Sequence, residues 1–166
     1  MTSDETFADV LQANARYADE FSLASIEAHA RRGLAIVTCI DSRIEPLDML
    51  GLTPGDAKII RNAGGRVTDE ALADLVIAAH LLGVDRVMII AHTDCRMTVP
   101  NESMLHDAMR AAGAPDTASF SFRTVPDPEA ALRSDVELIR SAPALAHVRV
   151  GGFLYDVASG RLTRIS

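Results

Sequence analysis

The chain reads as an α/β protein: a mostly parallel central β-sheet flanked by helices, with a projecting N-terminal helix. Three observations lead there. Residues 34–40 are a continuous apolar run of strand length, which suits a parallel strand buried on both faces. Strand-like and helix-like segments alternate along the chain, the pattern of a parallel sheet covered by helices. The hydrophobic 48% is dominated by Ala, Val, Ile and Leu, with no Trp, as suits branched strands packed under Ala-rich helices. At 166 residues the chain is long enough to bury a proper core, so residues 1–166 are read as a single domain.

The elements follow in order. Residues 4–21 form a first helix, with capping-box spacing at Thr2 and Glu5. Phe7, Val10, Leu11, Asn14, Tyr17, Ala18 and Phe21 recur along it at helical spacing. Large apolar residues on a leading helix need a partner surface, either on their own domain or across an interface between copies. Residues 34–40 are the first strand, and a helical turn spans 44–51. Thr53-Pro54-Gly55-Asp56 is a turn before a second strand at 57–61, and Asn62-Ala63-Gly64-Gly65 is a loop. Residues 68–82 form the clearest helix, with Asp69 and Glu70 at its positive end and Gly83 at the C′ position. Leu72, Leu75, Val76 and Ala79 are its expected buried stripe.

A third strand covers 86–92, a helix 101–112 and an irregular loop 113–127. Asp127 as N-cap and Pro128 as first residue open a helix that runs to about Arg140, before Pro143. Residues 148–157 read as a strand, Ala158-Ser159-Gly160 as a turn, and 161–165 as a short last strand.

A formal net charge of −7 and the lack of any basic stretch argue against nucleic acid or an anionic membrane as partner. No segment has the length and apolarity to span a bilayer. Met1-Thr2-Ser3-Asp4-Glu5 lacks the basic and apolar regions of a signal peptide, so a cytoplasmic location is expected. In a reducing compartment the two cysteines are thiols or ligands rather than a disulfide.

Both cysteines sit in short chemical strings: Cys39-Ile40-Asp41-Ser42-Arg43 and His92-Thr93-Asp94-Cys95. In open parallel sheets, sites form outside the carboxyl ends of strands. Cys39 lies near one such end and His92 at another. The spacing of His92 and Cys95 lets both point at one ion from a tight turn. Two thiolates and one imidazole suit zinc, with a fourth position left for water. The plainer reading is that each cysteine is only a small buried hydrophobe. Two thiolates cancel the charge of the ion, so its water should be less acidic than at a three-histidine site. Asp41 can accept a hydrogen bond from a zinc-bound hydroxide, and Arg43 can hold Asp41 ionised through a bidentate pair. Asp41–Arg43 could also be only a loop salt bridge, or Asp41 could itself close the zinc site.

Cys39-x-Asp41-x-Arg43, Arg61-Asn62-Ala63-Gly64 and His92-x-x-Cys95 together resemble the β-class carbonic anhydrases, in their compact form. The resemblance covers most of the chain. It implies Zn2+ held by Cys39, His92 and Cys95, an Asp41–Arg43 dyad, and reversible hydration of CO2 to bicarbonate and a proton by a zinc-bound hydroxide. It also implies a homodimer or higher homo-oligomer in which the N-terminal helix embraces the neighbour. Backbone amides around Ala63, Gly64 and Gly65 are candidates to contact a substrate oxygen, although that loop can equally be only a tight turn. His29, His80, His106 and His147 are proton-shuttle candidates by type alone.

One departure stands out: the family usually has Gly straight after the second cysteine, and this chain has Arg96. Either the turn differs or that Gly has no need of a positive φ. Three other readings stay open. They are hydrolysis of carbonyl sulfide or carbon disulfide at the same site, a non-catalytic zinc-binding regulatory homodimer, and a redox protein with a reversible Cys39–Cys95 disulfide.

Overall fold

The computed structural model describes residues 6–166. Helix α1 spans Ala8–Asp19, so the cap expected at Thr2 and Glu5 lies outside the described residues. Strand β1 (Leu34–Cys39) is followed by the single-turn helix α2 (Pro46–Met49) and strand β2 (Ala57–Asn62). Helix α3 (Asp69–Leu81) leads to β3 (Arg86–His92), then α4 (Glu102–Ala111) and α5 (Pro128–Ser141). A 3-10 turn at Pro143–Leu145 precedes β4 (Arg149–Tyr155) and β5 (Leu162–Arg164).

The strands form one sheet in the order β2-β1-β3-β4-β5, parallel except for the last pairing. All six residues of β1, the central run, are buried. Its side chains alternate in the usual way for a strand. Ala35 and Val37 face α3 and α5, where Leu75, Leu132, Val136 and Ile139 complete the main core. Leu34 and Ile36 face the other way, with Ile90 and Leu52. Each fully buried Ile contributes about 1.5–3 kcal/mol relative to exposure, and Ile36, Ile89 and Ile90 fall in that class.

The helix caps follow the sequence. Thr68, Asn101 and Asp127 accept hydrogen bonds from the backbone N–H groups of Ala71, Met104 and Ala130. The buried stripe of α3 is rotated from the expected one. Ala71, Leu75 and Ala78 are fully buried, while Leu72, Val76 and Ala79 flank them at the edge of the core. Small residues let the helix approach the sheet closely, and a reading by side-chain size favours the larger flanks.

Helix α1 buries none of its residues. Phe7, Val10, Leu11, Tyr17 and Phe21 are exposed around it, so its apolar side chains are not packed into their own chain's core. Among the described residues no helix is long and apolar enough to cross a membrane.

Candidate metal centre

Cys39 ends β1 and His92 ends β3, and these strands are parallel neighbours. Parallel pairing puts both carboxyl ends on one edge of the sheet, and the turn after β3 brings Cys95 back to them. The two sulfur atoms and a ring nitrogen of His92 all lie within 4.8 Å of one another. The returning turn passes through Asp94, whose φ of +54° is the one left-handed non-glycine backbone among the described residues. Asp is one of the few L-residues that visit this region.

The His92 ring is 1% exposed and its two nitrogens differ. Nδ1 lies 2.9 Å from the Thr93 carbonyl oxygen. A carbonyl only accepts, so Nδ1 carries the proton and Nε2 presents a lone pair. Nε2 is buried and has no hydrogen-bond partner. An orphaned buried nitrogen is costly unless something binds it, and metal-bound histidines commonly commit their other nitrogen to a carbonyl in this way. The Gly64 N–H donates to Cys39 Sγ at 3.4 Å. Burial pushes the Cys95 thiol up to about 11, against the N–H of Met97, and the neighbouring Cys39 adds to the rise. Both cysteines are free. Two sulfurs and an imidazole nitrogen, gathered around one point, fit zinc.

Asp41 and Arg43 form the expected bidentate pair. Arg43 Nε donates to Asp41 Oδ1 at 2.9 Å and Nη2 to Oδ2 at 2.8 Å, and the Arg43 backbone N–H adds a bond to Oδ1 at 2.9 Å. These bonds hold the Asp41 carboxyl well below the usual carboxylate range. Asp41 Oδ2 faces His92 Nε2 from 4.0 Å, so the carboxylate borders the ligand triangle while Arg43 anchors it from behind.

The end of β2 and the loop after it hold Cys39 in place. Arg61 Nε donates to the Cys39 carbonyl at 2.9 Å and Nη2 to the Asp41 carbonyl at 2.7 Å. Gly65 has a φ of +64°, and a Cβ there would stand 2.9 Å from Cys39 N and 3.0 Å from Ile90 O. Only glycine lets the loop lie this close to the ends of β1 and β3. Of the amides read as contacts for a substrate oxygen, Gly64 N–H goes to Cys39 Sγ and Gly65 N–H to the Asn62 carbonyl. Asn62 also bonds the Arg66 backbone through both side-chain atoms. Arg66 then makes a bidentate pair with buried Asp135 on α5, at 2.7 and 2.9 Å.

Asp41, Arg43, Asp94, Cys95 and Arg96 line a polar cleft of about 530 Å³. A second, very small cavity of about 10 Å³ touches Gly64, Ala91, His92, Cys95 and Val125. Arg96 is exposed and its φ is not left-handed, so the backbone of this turn makes no demand for glycine there. None of His29, His80, His106 and His147 lines the cleft beside Asp41. His80 bonds the Ala144 carbonyl and stacks edge-on with His147, and His106 bonds Thr117.

Comparison with known proteins agrees with this geometry. The carbonic anhydrase family model matches residues 34–113. Beta-carbonic anhydrase 1 of Mycobacterium tuberculosis is 32% identical over 160 residues, covering 95% of this chain and 96% of that protein. The chain belongs to the β-carbonic anhydrase family. A crystal structure of carbonic anhydrase from Streptococcus mutans superposes with a TM-score of 0.87 at 33% identity, over 100% of this chain and 99% of that one. A carbon disulfide hydrolase from an Acidianus species is 31% identical, covering 80% of this chain and 77% of that protein. The β-carbonic anhydrase fold thus carries relatives named for two substrates.

Three features of the site escape a reading by motif. Asp94, quoted in its string, turns out to be a second partner of Arg43. Arg61 proves to be a tie between β2 and the Cys39–Asp41 segment. The Arg66–Asp135 pair joins residues too far apart in sequence for any local pattern to link them. Asp on an otherwise apolar stripe of α5 was the one available signal.

Proposed function

We propose that this chain hydrates CO2 reversibly to bicarbonate and a proton, with Zn2+ held by Cys39, His92 and Cys95. The observation that carries the reading is the buried, unpartnered Nε2 of His92 gathered with two thiols within 4.8 Å. When bound, the ion supplies acidified water as the nucleophile. The chain's own residues supply orientation. Asp41 offers Oδ2 on the His92 side as an acceptor for the proton of the attacking water, and Arg43 keeps that oxygen ionised and aimed. The N–H of Gly64 steadies the sulfur of Cys39. Of Ala63, Gly64 and Gly65, our candidates for the substrate side, Gly64 borders the small cavity next to His92. Its N–H serves Cys39 Sγ and that of Gly65 the Asn62 carbonyl, so any substrate contact from the two glycines is through their surface rather than those amides. Ala91 and Val125 give this small cavity apolar walls, as a neutral gas requires, but at about 10 Å³ it has room for no more than a water until a side chain shifts.

A second reading is favoured by the Acidianus relative: the same residues acting on carbon disulfide or carbonyl sulfide. One experiment separates the readings. Zinc content and stopped-flow turnover of CO2, carbonyl sulfide and carbon disulfide are measured on one preparation. Fast CO2 turnover with about one zinc per chain supports the carbonic anhydrase reading. Turnover confined to the sulfur gases supports the second. Full zinc without turnover on any gas points to a closed, regulatory site.

We further propose a homodimer in which α1 packs on the partner. The support is twofold. Helix α1 exposes its apolar side chains. The sheet face of Leu34, Met88 and Phe153 opens a groove of about 470 Å³ rimmed by Arg32, Arg86, Arg149 and Arg164. Asp9 and Asp19 on α1 are opposite in sign to that rim, against the single Arg16 of the same helix. A cytoplasmic setting suits the free thiols of Cys39 and Cys95.

A further inference from the structure

Arg43 is shared between two carboxylates. Besides its bonds to Asp41, Nη1 donates to Asp94 Oδ2 at 2.7 Å and Nη2 to the Asp94 carbonyl at 3.0 Å. The guanidinium is planar and rigid. With Nε and Nη2 on Asp41 and Nη1 and Nη2 on Asp94, both its position and its plane are fixed. Asp94 itself sits in the left-handed turn between His92 and Cys95. The result is a strap from the end of β1, through Arg43, to the turn that carries two of the three proposed ligands.

We propose that Asp94 is a positioning residue for the Asp41–Arg43 pair, fixing the guanidinium so that Asp41 Oδ2 stays at the border of the ligand triangle. This rests on the zinc-site reading above. The side chain of Asp94 is 80% exposed. An ion pair so open to water adds little to stability, and the value of this one lies in geometry. Removing it leaves Arg43 free to turn about its last bonds, carrying Asp41 with it. Asp94 touches none of the reacting atoms in this scheme and works through Arg43.

The test compares Asp94→Gly, which keeps the left-handed backbone and removes the carboxylate, with Asp94→Asn, which keeps an acceptor oxygen. Zinc content, kcat and KM for CO2 are measured on the zinc-loaded proteins. Rotation of the Arg43 guanidinium is followed by 15N-resolved NMR in metal-free and zinc-loaded samples, with Arg43→Lys for assignment. Asp94→Gly should retain zinc, lose about 10-fold in kcat with KM little changed, and show faster guanidinium rotation. Asp94→Asn should recover most of both. Unchanged rotation or unchanged kcat in Asp94→Gly overturns the proposal, as does loss of zinc, which would make Asp94 a structural residue of the ligand turn. If the wild type turns over no CO2, the functional reading fails and the rotation measurement alone decides the positioning role.

Discussion

Oδ2 of Asp41 stands 4.0 Å from Nε2 of His92, with Arg43 gripping the same carboxylate from the far side. The carboxylate therefore borders the group of Cys39, His92 and Cys95 without belonging to it. Asp41→Asn keeps the shape and removes the charge. Zinc content should stay at the wild-type level while CO2 turnover falls about 100-fold. Stopped-flow kinetics with zinc analysis on the same samples measures both, and a wild-type rate would reduce the pair to a loop salt bridge.

The donor set governs the pH profile of turnover. In the proposed centre two thiolates would cancel the charge of the ion, so its water would be less acidified than at a three-histidine site. Arg43 holds Asp41 far below the neutral range, so Asp41 adds no titration near neutrality. The CO2 hydration rate should climb through the alkaline range. A plateau from about pH 6 upward, in rates measured across buffers of matched ionic strength, would contradict the neutral site.

Metal removal exposes the raised thiol. Burial lifts folded Cys95 from an ordinary 9.0 to about 11. A raised acid pKa favours the protonated form in the fold. Its contribution to stability is complete below the unfolded value and is lost as pH rises through the folded one. Metal-free protein should therefore lose melting temperature between about pH 9 and pH 11, from the ordinary thiol value to the raised one. Zinc prefers the thiolate, so the gap between zinc-loaded and metal-free melting temperatures should widen over the same span. Thermal melts with and without chelator follow it, and a gap that narrows would be evidence against Cys95 as a ligand.

Helix α1 tests the assembly. Leu11 is 60% exposed on a helix that buries nothing. Leu11→Glu should weaken self-association at least about 10-fold, since a buried unpaired carboxylate is costly. Sedimentation velocity across a concentration series reads the shift, and an unchanged dimer would place the interface elsewhere.

Much of this protein was legible in the chain. The all-buried β1 announced itself as an unbroken apolar run, and Thr68, Asn101 and Asp127 stand where helix starts were expected. These are local matters, decided by residues a few positions apart. The rotated stripe of α3 was less legible, because Ala71 and Ala78 mark a close helix–sheet approach that only the opposing surface defines. For Arg96 the second of the two readings holds: the residue after Cys95 needs no left-handed φ, which falls instead on Asp94.

Which side chains could bind an ion, and that Cys39 and His92 close apolar strands, can be read from the chain alone. Sulfur and imidazole chemistry belongs to the residues, and strand ends follow from local pattern. Only the folded arrangement leaves Nε2 of His92 buried and bare, gives Arg43 a second partner in Asp94, and brings Asp135 to Arg66 across the core. Those facts depend on which strands lie side by side and how closely a loop can press on them. Parallel crossovers bring together groups that are dozens of residues apart, and no short stretch of chain contains that information.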